Sequence, residues 1–383
     1  MSENNFGQDL EFLNQHIDTI VLSNDEGSQI ILAPAYQGRT MTSTSTGVDG
    51  TSYGYINYDA ITSDEHDPQI NLYGGEDRMW ISPEGGQYSI FFPPAAEMIY
   101  ANWRTPPALD TAAFEVTKQD ASSATFTKQA KFVNWSNFEF SVQMDRTVVL
   151  LDRARAVKHL GIDLQGLRVA AHESHNTLTN LGSAKWEPST GLIGIWMLCM
   201  NKPSDQATLL VPFKQGDAET LGKIVNADYF GKLDDSRLQI DESKSLIFFL
   251  GDGKMRSKLG LTFARVQSTL GSWDKERGVL SIVQFNLPAS APNGYNNNLW
   301  QMQDDPYDGD VINCYNDGPN ESGGQLGGFF ELETISPALE LGPNESFTHI
   351  HRTMRMEGDR AKLSSVAQAV FGVTLDEIES KFG

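Results

Sequence analysis

Residues 346–356 read SFTHIHRTMRM, and the two kinds of side chain alternate along them. On an extended chain Phe347, His349, His351, Thr353 and Arg355 fall on one side and carry its polar groups, while Ile350, Met354 and Met356 fall on the other. A period of two marks a β-strand. Strand-like runs recur N-terminal to it, at 19–22, 28–33, 88–92, 114–118, 124–133, 138–150, 167–178, 192–200, 207–212, 245–250, 259–266, 279–285 and 328–336, and several of them alternate. Helical periodicity is rare between residues 20 and 355. So many strands without helical crossovers predict antiparallel sheets packed face to face, not a doubly wound α/β fold.

Helices are expected only at the ends. Residues 7–18 form a short amphipathic pattern, and residues 359–382 place Leu363, Val366, Ala367 and Val370 on one face before continuing past Gly372. No linker and no fixed-period repeat divides the chain, so 1–383 is read as one sandwich with a helical appendage at about 359–382.

With 39% hydrophobic and 10% aromatic residues, the 383-residue chain can bury a large core, which excludes disorder as a description of the whole. Its 34 glycines cluster with Asn, Asp and Ser, as in strands joined by tight turns. The 29 basic and 50 acidic residues leave a net charge of −21, which repels phosphate backbones and anionic lipid. Neither nucleic acid nor membrane is an expected partner; a neutral sugar is not repelled. The same charge also serves solubility with no further purpose. Cys199 and Cys314 form no disulfide framework or CxxC motif, and two free thiols are the simpler reading than one disulfide. A native start at MSENNFGQDLEFL would place the protein in the cytoplasm; removal of a signal peptide would make it secreted or periplasmic.

Three segments, in order, resemble the aldose 1-epimerase (galactose mutarotase) superfamily. Asn71–Trp80 (NLYGGEDRMW) is similar to its LHGG segment, Thr177–Gly182 (TLTNLG) to its LTN stretch, and Phe330–Thr334 (FELET), followed by LGPNESFT at 341–348, to its LET segment and closing hairpin. The whole chain is also similar to a set of uncharacterised bacterial proteins sharing AYQGRTMTST, GGEDRMWISPEGGQ, GDVINCYNDGP and a THIHRT ending. The superfamily resemblance implies an antiparallel β-supersandwich and a sugar ring held in an open cleft on one large sheet. It further implies a Glu base working with two histidines. Here the histidine positions hold Tyr73 and Leu181, and only the Glu is kept, as Glu333. Tyr73, or His175 six residues before Leu181, would then be the catalytic partner of Glu333.

Around that centre the residues suggest a binding set. Glu331 and Glu333 share parity, hence one face of a strand, and call for a wet cleft or a cation such as Arg78 or Arg39. Arg78 suits a fork onto sugar hydroxyls, or an ion pair with Asp77 or Glu84. Trp80 suits a stacking platform or a place in the core. Residues 304–319, DDPYDGDVINCYNDGP, gather acids, amides, Tyr307 and Tyr315 for hydroxyl recognition, or form a solvated turn. His349 and His351 are expected to hydrogen-bond in the cleft. The alternative for that HxH pair is a divalent cation with a third ligand from Glu331 or Glu333; no HExxH or CxxC pattern accompanies it, and no cofactor is expected. His172 and His175 differ in parity, so at most one faces the cleft. Two functions follow: an epimerase-like or lyase-like enzyme with Glu333 as base, or a non-catalytic sugar-binding or partner-binding sandwich.

Overall fold

A computed structural model describes residues 3–320 and 323–382. Ten antiparallel strands form the main sheet, in the spatial order Leu238–Asp241, Leu246–Leu250, Ala207–Pro212, Thr269–Asp274, Val279–Phe285, Ser346–Gly358, Leu167–Asn180, Glu139–Leu151, Ser123–Val133 and Glu115–Gln119. A second antiparallel sheet packs against it, ordered Ser257–Leu261, Ile312–Asn316, Phe330–Ile335, Gly194–Leu198 and Arg78–Ser82, with Met200–Asn201 paired onto Phe330–Ile335. Ile20–Ser23, Gln29–Ala33 and Arg39–Thr44 make a third, small sheet. This is a mostly β antiparallel sandwich.

One hydrophobic cluster joins the two larger sheets, with Met197, Leu259 and Leu332 meeting Leu209, Phe249 and Val283. On the opposite face of the main sheet, Leu210, Phe248, Ile282, Met354 and Met356 are covered by Leu363, Val366, Phe371 and Ile378 of the C-terminal helices. Those helices, Arg360–Phe371 and Leu375–Glu379, are separated by Gly372, whose φ of 73° ends the first in a left-handed cap. The main sheet is thus buried on both sides at its centre.

The Ser346–Gly358 strand alternates as its sequence predicts, yet its polar side is the inner one. Met354 and Met356 lie under the helices, while His349, His351, Thr353 and Arg355 point between the sheets and are at most 3% exposed. Asp77 and Arg146, both fully buried, are paired at 2.6 Å in the same interior. A polar network therefore lies within the sandwich. Arg146 also donates to Gly38 O (3.0 Å), Asn176 Oδ1 (2.7 Å) and Asp77 O (2.9 Å), so one guanidinium ties together the main sheet and the turn preceding each of the other two.

Some expectations were displaced. Residues 88–92 form no strand: Phe91 and Phe92 are buried in a loop held by the Ser89 hydroxyl, which donates to Glu84 O and accepts from Phe91 N, so local side-chain bonds replace a ladder. Arg39–Thr44 is a strand buried along its whole length and therefore lacks a period-two signature, and Ile312–Asn316 is likewise a strand within the segment read as a turn-rich loop. A helix at Arg153–Leu160, capped by Asp152 onto Arg155 N, interrupts the strand series. Both cysteines are free and buried. Among the described residues no helix is long and apolar enough to cross a membrane.

Candidate functional site

Register across the second sheet selects what lies on its outer face. Lys258 pairs with Tyr315 and Tyr315 with Glu331; Asn313 pairs with Glu333; Arg78 pairs with Leu198 and Trp80 with Trp196. Directly paired residues share a face. Leu259, Cys314, Leu332 and Met197, one residue out of step, point the other way into the core. The outer face becomes the floor of a cavity of about 780 Å³, walled by loops that carry Tyr100 and Trp103, Tyr229 and Phe230, Arg256, and Trp300. The cavity thus lies on the smaller of the two packed sheets, a correction to the expected place on the large one.

Two ion pairs cross this floor. Arg78 Nη2 stands 3.0 Å from Glu331 Oε1, both side chains nearly buried, and its guanidinium lies 4.7 Å from the Trp80 ring centre. Lys258 Nζ stands 3.3 Å from Glu333 Oε2, which also accepts from Trp196 Nε1 at 2.8 Å. The ammonium is 5.1 Å and 5.7 Å from the ring centres of Trp196 and Tyr229, so the Lys258 charge is held between a carboxylate and two π-faces. Burial raises the Glu331 carboxyl to about 7; Arg78 opposes the rise and Glu333 adds to it. Glu84, in the cavity wall, is also raised to about 7 by burial, with Lys258 pulling down and Glu333 pushing up. Two carboxyls therefore exchange protons near neutrality, which is the range that acid–base work requires.

Above the floor the rings form a platform. Trp103 stacks on Trp300 with centroids 5.7 Å apart at 22°, and on Tyr100 at 6.1 Å and 17°. Trp80 meets Trp196 edge-on at 5.7 Å. On the far wall the Tyr229 hydroxyl donates to Asp310, whose carboxyl burial raises to about 6, and Tyr315 OH donates to Asp317 Oδ1 at 2.7 Å.

Of the ten residues singled out from sequence, the cavity brings together Arg78, Trp80, Tyr315, Glu331 and Glu333. Arg78 pairs with Glu331, not with Asp77 or Glu84. The other five stand elsewhere. Tyr73 is stacked on Tyr36 at 3.9 Å in the N-terminal cluster, where burial raises its hydroxyl to about 12. Arg39 is buried beside it, donating to Gly74 O (2.7 Å) and Gln37 Oε1 (3.0 Å), and Gly75 is required there because a Cβ would fall 2.4 Å from the Arg39 chain. His175 is partly exposed on the main sheet, 2.6 Å from Glu173. The parity argument holds for His172, which points inward, but neither histidine reaches the cavity.

His349 and His351 do not line the cavity. Their ring nitrogens meet the Thr334 hydroxyl at 2.8 Å and 2.9 Å from the interior, and His351 Nε2 meets Cys199 Sγ at 3.2 Å. A metal held by this HxH pair would need Glu331 or Glu333 on a strand neighbouring the histidines. The two strands in fact belong to different sheets, since Ser346–Gly358 pairs with Val279–Phe285 and Leu167–Asn180. The parity of Glu331 and Glu333 turns them away from Thr334 and hence from both histidines. Tyr307 is also outside the cavity, donating to Pro188 O at 2.9 Å.

Sequence reasoning missed Glu84, Trp196, Arg256, Lys258, Trp300 and both aromatics at 229–230. Trp196 sits in an apolar run that reads as core, and Lys258 is the alternating partner of Leu259 and Leu261 on a strand. That alternation is the one signal that marks Lys258 as facing the other way.

Solved structures with this sandwich have a galactose mutarotase-like fold. A galactose mutarotase-like protein from Lactobacillus casei ATCC 334 is 12% identical with a TM-score of 0.50, covering 89% of this chain and 100% of its own. A candidate aldose 1-epimerase from Escherichia coli K12 is 11% identical with a TM-score of 0.52, covering 89% and 99%. The Slr1438 protein from Synechocystis sp. PCC 6803 is 13% identical with a TM-score of 0.51, covering 88% and 96%. These likenesses define the fold class. Within it, the chain belongs to the family described as "Family of unknown function (DUF6786)", which matches residues 4–382. Among curated proteins none matches the sequence.

Proposed function

We propose that this protein binds a saccharide in the cavity on its second sheet and acts on it by proton transfer through the carboxyls of Glu331, Glu333 and Glu84. The observation that carries the reading is the junction of a tryptophan-lined wall with the Arg78–Glu331 and Lys258–Glu333 pairs on one floor. Sugar rings present apolar C–H faces and a girdle of hydroxyls, so they need flat aromatic surfaces beside fixed donors and acceptors. The ion pairs supply the latter. Glu331 and Glu84, raised toward neutrality, suit the exchange of a hydroxyl proton, and Lys258 takes the place beside Glu333 that Tyr73 and His175 do not occupy. The mutarotase-like fold of the solved structures agrees with a sugar ligand. A binding protein without turnover is the second reading, favoured by Glu333 being already tied to both Lys258 and Trp196.

Calorimetric titration with a panel of mono- and oligosaccharides tests the site. Glu333→Gln and Arg78→Met are each expected to weaken saccharide binding about 10- to 100-fold, the effect of removing a charged hydrogen bond of roughly 1.5–3 kcal/mol. Unchanged affinity in both variants would move the site off this floor. Accelerated equilibration of the optical rotation of a freshly dissolved sugar anomer, present in the parent and absent in Glu333→Gln, separates the enzyme from the binding protein.

A further inference from the structure

Three guanidinium or ammonium groups line the cavity, and two of them are already neutralised by Glu331 and Glu333. The third, Arg256, is different. Its guanidinium lies 4.3 Å from the Phe230 ring centre, and among the described residues it forms no ion pair and donates no hydrogen bond. Its Nε is buried without a partner. In a chain with 50 carboxylates to 29 basic groups, a cavity-lining guanidinium that no carboxylate of the described residues approaches to ion-pair distance is a specific arrangement.

The position is built into the fold. Asn316 accepts from Gly253 N (2.9 Å) and donates to Met255 O (2.9 Å), Ser257 Oγ also donates to Met255 O (2.9 Å), and the Asp252 carboxylate accepts from Lys254 N (3.0 Å). Gly318 lets the backbone pass so closely that a Cβ would fall 2.5 Å from Arg256 N. The backbone before Arg256 is therefore fixed, and its ring neighbour steers the side chain toward the cavity. Its charge acts on two carboxyls of the cavity lining, Glu84 and Asp317, without pairing with either, and on Tyr100 and Tyr315. Planar guanidinium forks match carboxylate and phosphate oxygens, and stacking on an aromatic ring leaves the fork edge free to do so.

We propose that Arg256 receives an anionic substituent of the saccharide, so that the ligand of this cavity is an acidic sugar bearing a carboxylate or a phosphate group. This rests on the saccharide reading above and adds its charge. At about 780 Å³ the cavity also exceeds what one pyranose ring fills, so the acidic group is free to sit on a ring next to the one over Glu333.

The test is calorimetry on the full chain with matched probes: glucose and galactose, glucuronate and galacturonate, glucose 6-phosphate and galactose 6-phosphate, and a digalacturonate beside a neutral disaccharide. Acetate and inorganic phosphate are the plain-anion controls. At least one acidic sugar is expected to bind about 10-fold or more tightly than its neutral counterpart, with the uronate and phosphate arms identifying the anion. Arg256→Gln should abolish that preference while leaving neutral-sugar affinity and the melting temperature close to the parent's, and Arg256→Lys should retain part of it. Equal binding of acidic and neutral sugars, or a preference that survives Arg256→Gln, overturns the proposal and leaves the saccharide reading standing. Plain anions binding as tightly as the sugar acids overturns the acidic-sugar assignment. Absence of binding by every saccharide in the panel overturns both.

Discussion

Arg146→Met is expected to cost about 3–5 kcal/mol of stability, because it leaves the Asp77 carboxylate buried without its cation. The pair is fully enclosed, and Arg146 makes four hydrogen bonds: to the Asp77 carboxylate and carbonyl, to Gly38 O and to Asn176 Oδ1. Ser174 Oγ, 2.9 Å from Asp77 Oδ2, cannot replace a full positive charge. Asp77 immediately precedes Arg78, so the loss should also loosen the floor of the cavity. Replacing both partners, in Arg146→Met with Asp77→Asn, should recover a large part of the loss, since the penalty comes from the unpaired charge and not from the missing pair as such. Urea unfolding of the parent, the single and the double variant decides it. A single variant within about 1 kcal/mol of the parent would mean that this network does not hold the layers together.

The pH dependence of stability is expected to be flat from about pH 6.5 to 4.5 and steep below. Burial lowers His349 to about 3 and His351 to about 4, and it lowers His172 as well. Unfolding restores them to about 6.5, so below that value the unfolded chain binds more protons and each histidine removes about 1.4 kcal/mol per pH unit down to its folded value. Glu84 and Glu331, raised to about 7, have the opposite sign: between about 4.5 and 7 the folded state holds the extra protons, and acidification favours it. Asp310, raised to about 6, adds to that side. The two sets offset one another down to about pH 4.5. Below it the histidines stand with Glu173, which His175 and Arg352 hold down to about 2 against burial, and stability should fall by about 3 kcal/mol per pH unit. Melting temperatures at half-unit steps from pH 7 to 3.5 read this directly. A steady decline beginning at pH 6.5 would show that the cavity carboxyls do not oppose the interior histidines.

The sequence by itself determined the class of fold. Short strand-like runs such as 207–212 and 279–285 form strands over those residues, and the alternation of 346–356 gives the right two faces. It also determined that Glu331 and Glu333 point the same way, because parity along a strand is fixed by local geometry, and two like charges on one face call for a wet cleft or a cation. Parity does not say what lies over a face. The polar side of 346–356 suits a cleft wall by pattern alone, yet the second sheet covers it and His349 and His351 meet Thr334 in the interior. Tyr73 and His175 lie away from the cavity for the same reason: a motif position gives no information about the layer above it. Only the tertiary structure decided which cations, rings and carboxyls share a cavity. Lys258 and Glu333, or Trp103 and Trp300, lie far apart in the chain, and the packing of one sheet on another with its loops folded over brings them within contact. Sequence patterns carry the short-range geometry of each strand, whereas the site depends on which strands become neighbours, and that is settled by burial summed over the whole molecule.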